Sequence, residues 1–150
     1  MPTGAKLISA LYFLFLGYVG AHIVHSIFEA EVGYDLDFGR FKEIAAVICC
    51  LTGWRMMGNR VEEGYNLAIM GGILTAVTMV FWNLVLWATV EMIGESMKLK
   101  YNGAMQAIKD AIRIAIEYSQ TIATVEFIGT MVVGAVIGGI LAEWTSSRFR

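Results

Sequence analysis

Residues 67–90 form a run of 24 positions without one charged side chain, and no other feature limits the fold of this chain so tightly. A helix over that run is roughly 36 Å long at about 1.5 Å per residue. The hydrocarbon core of a bilayer is about 30 Å thick. The run is therefore long enough to cross it, and water is a poor solvent for its side chains. Helical pattern continues through Glu91 and Glu95, so a helix over residues 66–97 is expected, with one end projecting past the lipid.

Other stretches repeat the pattern. Residues 7–23 carry only Ser9 and His22 as clear interruptions, which predicts a first span over residues 6–28, roughly 34 Å long. That run exceeds a signal-peptide core of about 7–15 residues and no small-x-small cleavage site follows, so it reads as a retained helix. Residues 127–142 are again uncharged, giving a span over 125–144. A further span is expected over 41–58. Its uncharged core is short, but Lys42 and Arg55 have stems long enough to snorkel to opposite interfaces. Between the third and last spans, Ala104, Ile108, Ala111, Ile112, Ala115, Ile116, Ser119 and Ile122 recur at helical spacing. Gln106, Lys109, Asp110, Arg113, Glu117 and Gln120 take the opposite face. This is an amphipathic helix over 104–122, expected along the membrane interface or docked on a partner subunit.

The expected fold is thus all-α, one membrane domain with four transmembrane helices plus one amphipathic interfacial helix. Composition agrees. Of 150 residues, 57% are hydrophobic and 16% charged, against roughly 45–50% and 25% in soluble domains. Pro2 is the only proline, so no span is broken from inside. A net charge of −2 without a basic stripe argues against nucleic acid as a partner. The lipid bilayer is the expected partner, together with a larger membrane complex if the amphipathic helix docks there.

Four spans place both termini on one side. The short second loop and the tail Ser146-Ser147-Arg148-Phe149-Arg150 are basic at their membrane edges. The first loop, with Glu29, Glu31, Asp35 and Asp37, is acidic. The positive-inside rule then puts both termini in the cytoplasm. Trp54, Arg55, Trp87 and Trp144 are the expected interfacial anchors.

Candidate chemistry is sparse. His22, His25 and Glu29 fall on one helix face, a pattern compatible with a metal or a proton path. Two interfacial histidines bonded to neighbours explain it equally. Glu91 and Glu95 lie one turn apart and Glu126 opens the last span. Their simpler reading is solvation or an ion pair with Lys98. Cys49 and Cys50 are adjacent, where a mutual disulfide is strained. They read as small buried residues, with soft-metal or oxyanion chemistry as the sharper alternative. Gly17 with Ala21, and Gly134 with Gly138, make small-xxx-small faces for close helix packing. No phosphate loop, nucleophile triad, haem-attachment or zinc-protease motif occurs. No catalytic residue is therefore assigned, no cofactor is expected, and the chain reads as non-enzymatic.

Three segments carry a resemblance. Met1-Pro2-Thr3-Gly4-Ala5-Lys6-Leu7, then Gly53-Trp54-Arg55-Met56-Met57-Gly58-Asn59-Arg60 before Gly64, then Leu141-Ala142-Glu143-Trp144 with the basic tail, resemble the TrgA family. The acidic first loop with Phe38-Gly39-Arg40-Phe41 extends the likeness along the whole chain. Its members are small inner-membrane proteins of alphaproteobacteria linked to tellurite resistance. The resemblance implies an inner-membrane location and a resistance phenotype, and it assigns no catalytic residue. An accessory subunit of a photosynthetic or respiratory membrane complex is the alternative.

Overall fold

The computed structural model describes residues 3–32, 40–57, 64–98 and 103–148, and among these described residues helix is the only regular structure. The elements are α1 (Thr3–Val32), α2 (Phe41–Met56), α3 (Tyr65–Met97), α4 (Ala104–Ile122) and α5 (Val125–Arg148). Three of them are long and apolar enough to cross a membrane: α1 over Lys6–Ala30, α3 and α5. The expected second span is present as α2, but its 16 residues reach only roughly 24 Å. The acidic loop residues Gly33, Asp35, Asp37, Phe38 and Gly39, and the second-loop residues Gly58, Asn59, Arg60, Val61, Glu62 and Glu63, lie outside the described residues.

Local chemistry sets several helix ends. Gly64, at φ 99°, takes the left-handed conformation that glycine adopts without strain and so delivers the chain into α3. The hydroxyl of Thr124 accepts a hydrogen bond from the Phe127 N–H at 3.3 Å, an N-cap that starts α5 directly after α4 stops. Glu43 lies in the first turn of α2 and Arg55 in its last. Glu126 and Arg148 hold the same places in α5. Each sign matches the helix dipole at its end.

The contacts define an antiparallel bundle. Phe13 packs at Gly53 and Cys49 packs at Gly17, so α2 descends along α1. On α5, Gly134 meets Leu16, and Gly138 meets Tyr12 and Phe13, so α5 also runs against α1. The backbones of α3 and α5 touch, Gly72 against Ala135 and Gly139 against Ala68. The Tyr12 hydroxyl donates to the Gly134 carbonyl at 2.9 Å. Past the bundle, α4 doubles back along the distal part of α3, with Tyr118 set edge-on against Phe28 of α1 at 5.2 Å.

The core holds large side chains such as Phe13, Leu16 and Met79, yet the outer faces are unlike those of a water-soluble bundle. Small residues fill the seams: Ala10, Ala21, Ala45, Ala68, Ala76, Ala135 and Ala142 are buried. Large apolar side chains point outward on every long face. Examples are Leu11 and Phe15 on α1, Val47 and Leu51 on α2, Met70 and Phe81 on α3, and Val132 and Val133 on α5. Hydroxyls on the spans fold back on their own helices. Thr75, Thr78, Thr89, Thr130 and Thr145 each donate to the carbonyl four residues earlier, at 2.7–2.8 Å. A side chain bonded this way asks nothing of its surroundings.

Candidate functional site

All five helices contribute to one partly enclosed cavity at the level where α4 gives way to α5. Its volume is about 70 Å³. Gly17, Gly20 and Ala21 on α1 and Ala45 on α2 make room for it by carrying little or no side chain. Phe28, Tyr118 and Ile122 close it toward α4, and Met79, Asn83 and Trp87 form the α3 wall.

Asn83 is the polar centre of this cavity. Its amide nitrogen donates to the Met79 carbonyl at 2.8 Å and to Cys49 Sγ at 3.6 Å. The Met79 carbonyl fixes which way the amide faces, since an oxygen in that position would repel it. Asn83 Oδ1 is buried and accepts no hydrogen bond among the described residues. A buried polar atom left in this state costs about 1–3 kcal/mol. Sequence reasoning gave Asn83 no role. The signal that marks it is its place inside the 24-residue uncharged run, because polar groups within a span are seldom incidental.

The sequence-derived candidates are only partly brought together. His25 and Glu29 approach to 3.7 Å, with Glu29 largely exposed. His22 is exposed, and its carbonyl accepts from the Ser26 hydroxyl at 3.1 Å. Among the described residues no three His, Cys, Asp or Glu side chains are grouped to hold a metal. Glu95 pairs with Lys98 at 2.9 Å, and that hydrogen bond raises the lysine's pKa. Glu126 is exposed. Glu91 faces α4, where it adds to the effect of burial in pushing Tyr118 up to about 12. Cys49 is buried against Gly17 and Asn83, whereas Cys50 is half-buried and outside the cavity lining.

Both glycine pairs serve contacts within the chain. Gly17 and Ala21 meet α2 at Cys49 and Ala45, and Gly134 and Gly138 meet α1. Trp54 and Trp144 point outward at one end of the bundle, 43% and 52% exposed, with Arg55 beside the first. Arg148 lies 5.9 Å over the Trp144 ring. Trp87 is half-buried. It lines the cavity beside Ala21 and Ala45. Comparison with known proteins gives no match: no family model, no curated protein and no solved structure is significantly similar to this chain.

Proposed function

We propose that this chain is a non-enzymatic, multi-pass protein of a bacterial inner membrane, with α1, α2, α3 and α5 as its spans and α4 at the interface. One observation carries the reading: large apolar side chains face outward along every span, while alanines and glycines line much of the seams between the helices. In water that surface far exceeds the few hundred Å² of contiguous apolar patch a soluble monomer exposes. In lipid it costs nothing, and small residues at the seams are how membrane helices approach each other. α2 crosses as a short span, with Lys42 and Arg55 reaching the two interfaces and the bilayer thinning to match. α4 sorts its side chains three ways. Tyr118 and Ile122 face the bundle, Ile108, Ile112 and Ile116 point outward, and Lys109, Arg113 and Glu117 face water. That partition suits a helix touching protein, lipid and solvent at once.

The cellular role we assign is the TrgA-like one, support of resistance to tellurite, on the strength of the Gly-Trp-Arg-x-x-Gly stretch and the two chain ends. Alkaline carbonate extraction tests the location: the protein stays in the membrane pellet, and release into the wash defeats the proposal. A deletion strain with and without plasmid-borne protein, plated on tellurite, tests the role. Unchanged sensitivity removes it while leaving the location standing. The outward apolar stripe of α4 favours a second reading, an accessory subunit whose α4 docks on a larger complex. Native mass spectrometry of mildly solubilised membranes separates the two by showing this chain in a discrete large assembly or by itself.

A further inference from the structure

Three sulfur-bearing residues from three different helices line the central cavity: Cys49 of α2, Met79 of α3 and Met131 of α5. All three residues are buried, at 3%, 1% and 8% exposure. On the α1 wall stand Gly17 and Gly20, one turn apart. A Cβ at Gly17 would strike Cys49 Cβ and Sγ, and one at Gly20 would strike the Met131 methyl. Two of the sulfur-bearing side chains therefore rest on the same bare strip of α1. The Asn83 amide donates to Cys49 Sγ at 3.6 Å, a contact that orients the sulfur.

We propose that this cavity binds one soft monovalent cation, Cu(I) or Ag(I), through the Cys49 thiolate and the Met79 and Met131 thioethers. Donor type comes first. Thiolate and thioether sulfur select soft cations, while a hard cation, which wants six or more oxygens, finds only Asn83 Oδ1 and the Tyr118 hydroxyl among the lining side chains. Charge comes second. As the cation binds, the Cys49 S–H bond breaks, an S–metal bond forms and the proton leaves to solvent. One thiolate and one monovalent cation leave the site neutral. A divalent ion would leave a net positive charge in the bundle, where an uncompensated charge is costly. Adaptability comes third. Both methionines have flexible unbranched chains, and a cavity of about 70 Å³ lets them swing toward a common ion. If the two methionines served only as core filler, packing would be equally good with leucine and no metal would bind.

The test uses the full chain purified in detergent under reductant, stripped with a Cu(I) chelator, then titrated with Cu(I) against a chromophoric competitor. The expected result is one Cu(I) per chain, displaced by Ag(I), with sulfur-to-copper charge-transfer absorption and a sulfur-only shell by X-ray absorption. Cys49→Ser should weaken binding by more than about 100-fold, and Met79→Leu with Met131→Leu by more than about tenfold. Cys50→Ser should leave it unchanged. The leucine variants conserve volume and are expected to fold. Substoichiometric binding, wild-type affinity in the double leucine variant, or dependence on Cys50 in place of Cys49 each overturns the site.

Discussion

Glycine is where single residues decide this fold, and its positions are not equivalent. A Cβ at Gly139 would sit 2.5 Å from the Ala68 carbonyl oxygen, and one at Gly72 would collide with the Ala135 carbonyl. Backbone cannot rotate aside, so α3 and α5 must separate. Gly139→Ala is expected to cost about 1–3 kcal/mol, the range for overpacking a tight seam, read as a lower thermal midpoint in detergent. At Gly134 the obstacle is the tip of Leu16, which can adjust, so Gly134→Ala costs less. At Gly129 nothing lies within 4 Å, and alanine should gain up to about 1 kcal/mol of helix propensity. If all three variants melt alike, α3 and α5 do not touch as described. The sequence makes Gly134 and Gly138 visible, because small residues four apart announce a packing face. It does not reveal that this face meets Leu16, Tyr12 and Phe13 of α1 while Gly72 of α3 meets the neighbouring Ala135, since partner choice depends on which helices end up adjacent.

Among the elements, α4 is the most instructive, because its charge pattern was legible and its docking was not. Helical spacing separates Ile108, Ile112 and Ile116 from Lys109, Arg113 and Glu117 without any structure. Nothing in that spacing says that a third face, through Tyr118 and Ile122, caps the central cavity. Single cysteines at 109, 112 and 118, placed in a Cys49→Ser, Cys50→Ser background and carrying a polarity-sensitive fluorophore, resolve the three faces. Position 112 should report lipid and be quenched by a lipid-borne quencher, 109 should report water, and 118 should resist labelling. A uniform response along α4 would place it in a single medium. Tyr118 also makes the docking of α4 pH-dependent. Its folded-state pKa, about 12 against an ordinary 10.0, is raised first by burial and then by Glu91 and Glu117. A raised acid pKa means the folded state holds its proton more tightly. The stabilising contribution is therefore whole below pH 10 and lost as pH climbs from about 10 to about 12. Difference spectra of wild type minus Tyr118→Phe should show this late-titrating phenol, and a midpoint near 10 would mean that Tyr118 is not buried against α3.

For the whole molecule the decisive question is whether α2 counts as a crossing, and the side on which the two chain ends lie answers it. Three crossings put the ends on opposite faces of the membrane, and four put them on the same face. Length argues against α2, since its 16 residues span roughly 24 Å where the lipid core needs about 30 Å. Packing argues for it. α2 lies antiparallel on α1 from Ala45 beside Ala21 to Gly53 beside Phe13, and α1 is itself long enough to cross. A helix seated along most of a spanning partner shares that partner's depth in the membrane, and its shortfall is about one helical turn. Lys42 at one end and Arg55 at the other can make up that turn with their side chains, at a cost of fractions of a kcal/mol per Å of mismatch. Packing should therefore win over length. Fusions of a fluorescent protein that matures only in the cytoplasm, made separately at each end of the chain, should both fluoresce. Replacing Val47 and Leu51, which face outward mid-helix, with lysine should then disrupt insertion, because each charge would meet lipid at the centre of a span at about 2.5–3.5 kcal/mol apiece. Fluorescence from one end only, or indifference to the lysines, would return α2 to the surface and reduce the bundle to three spans.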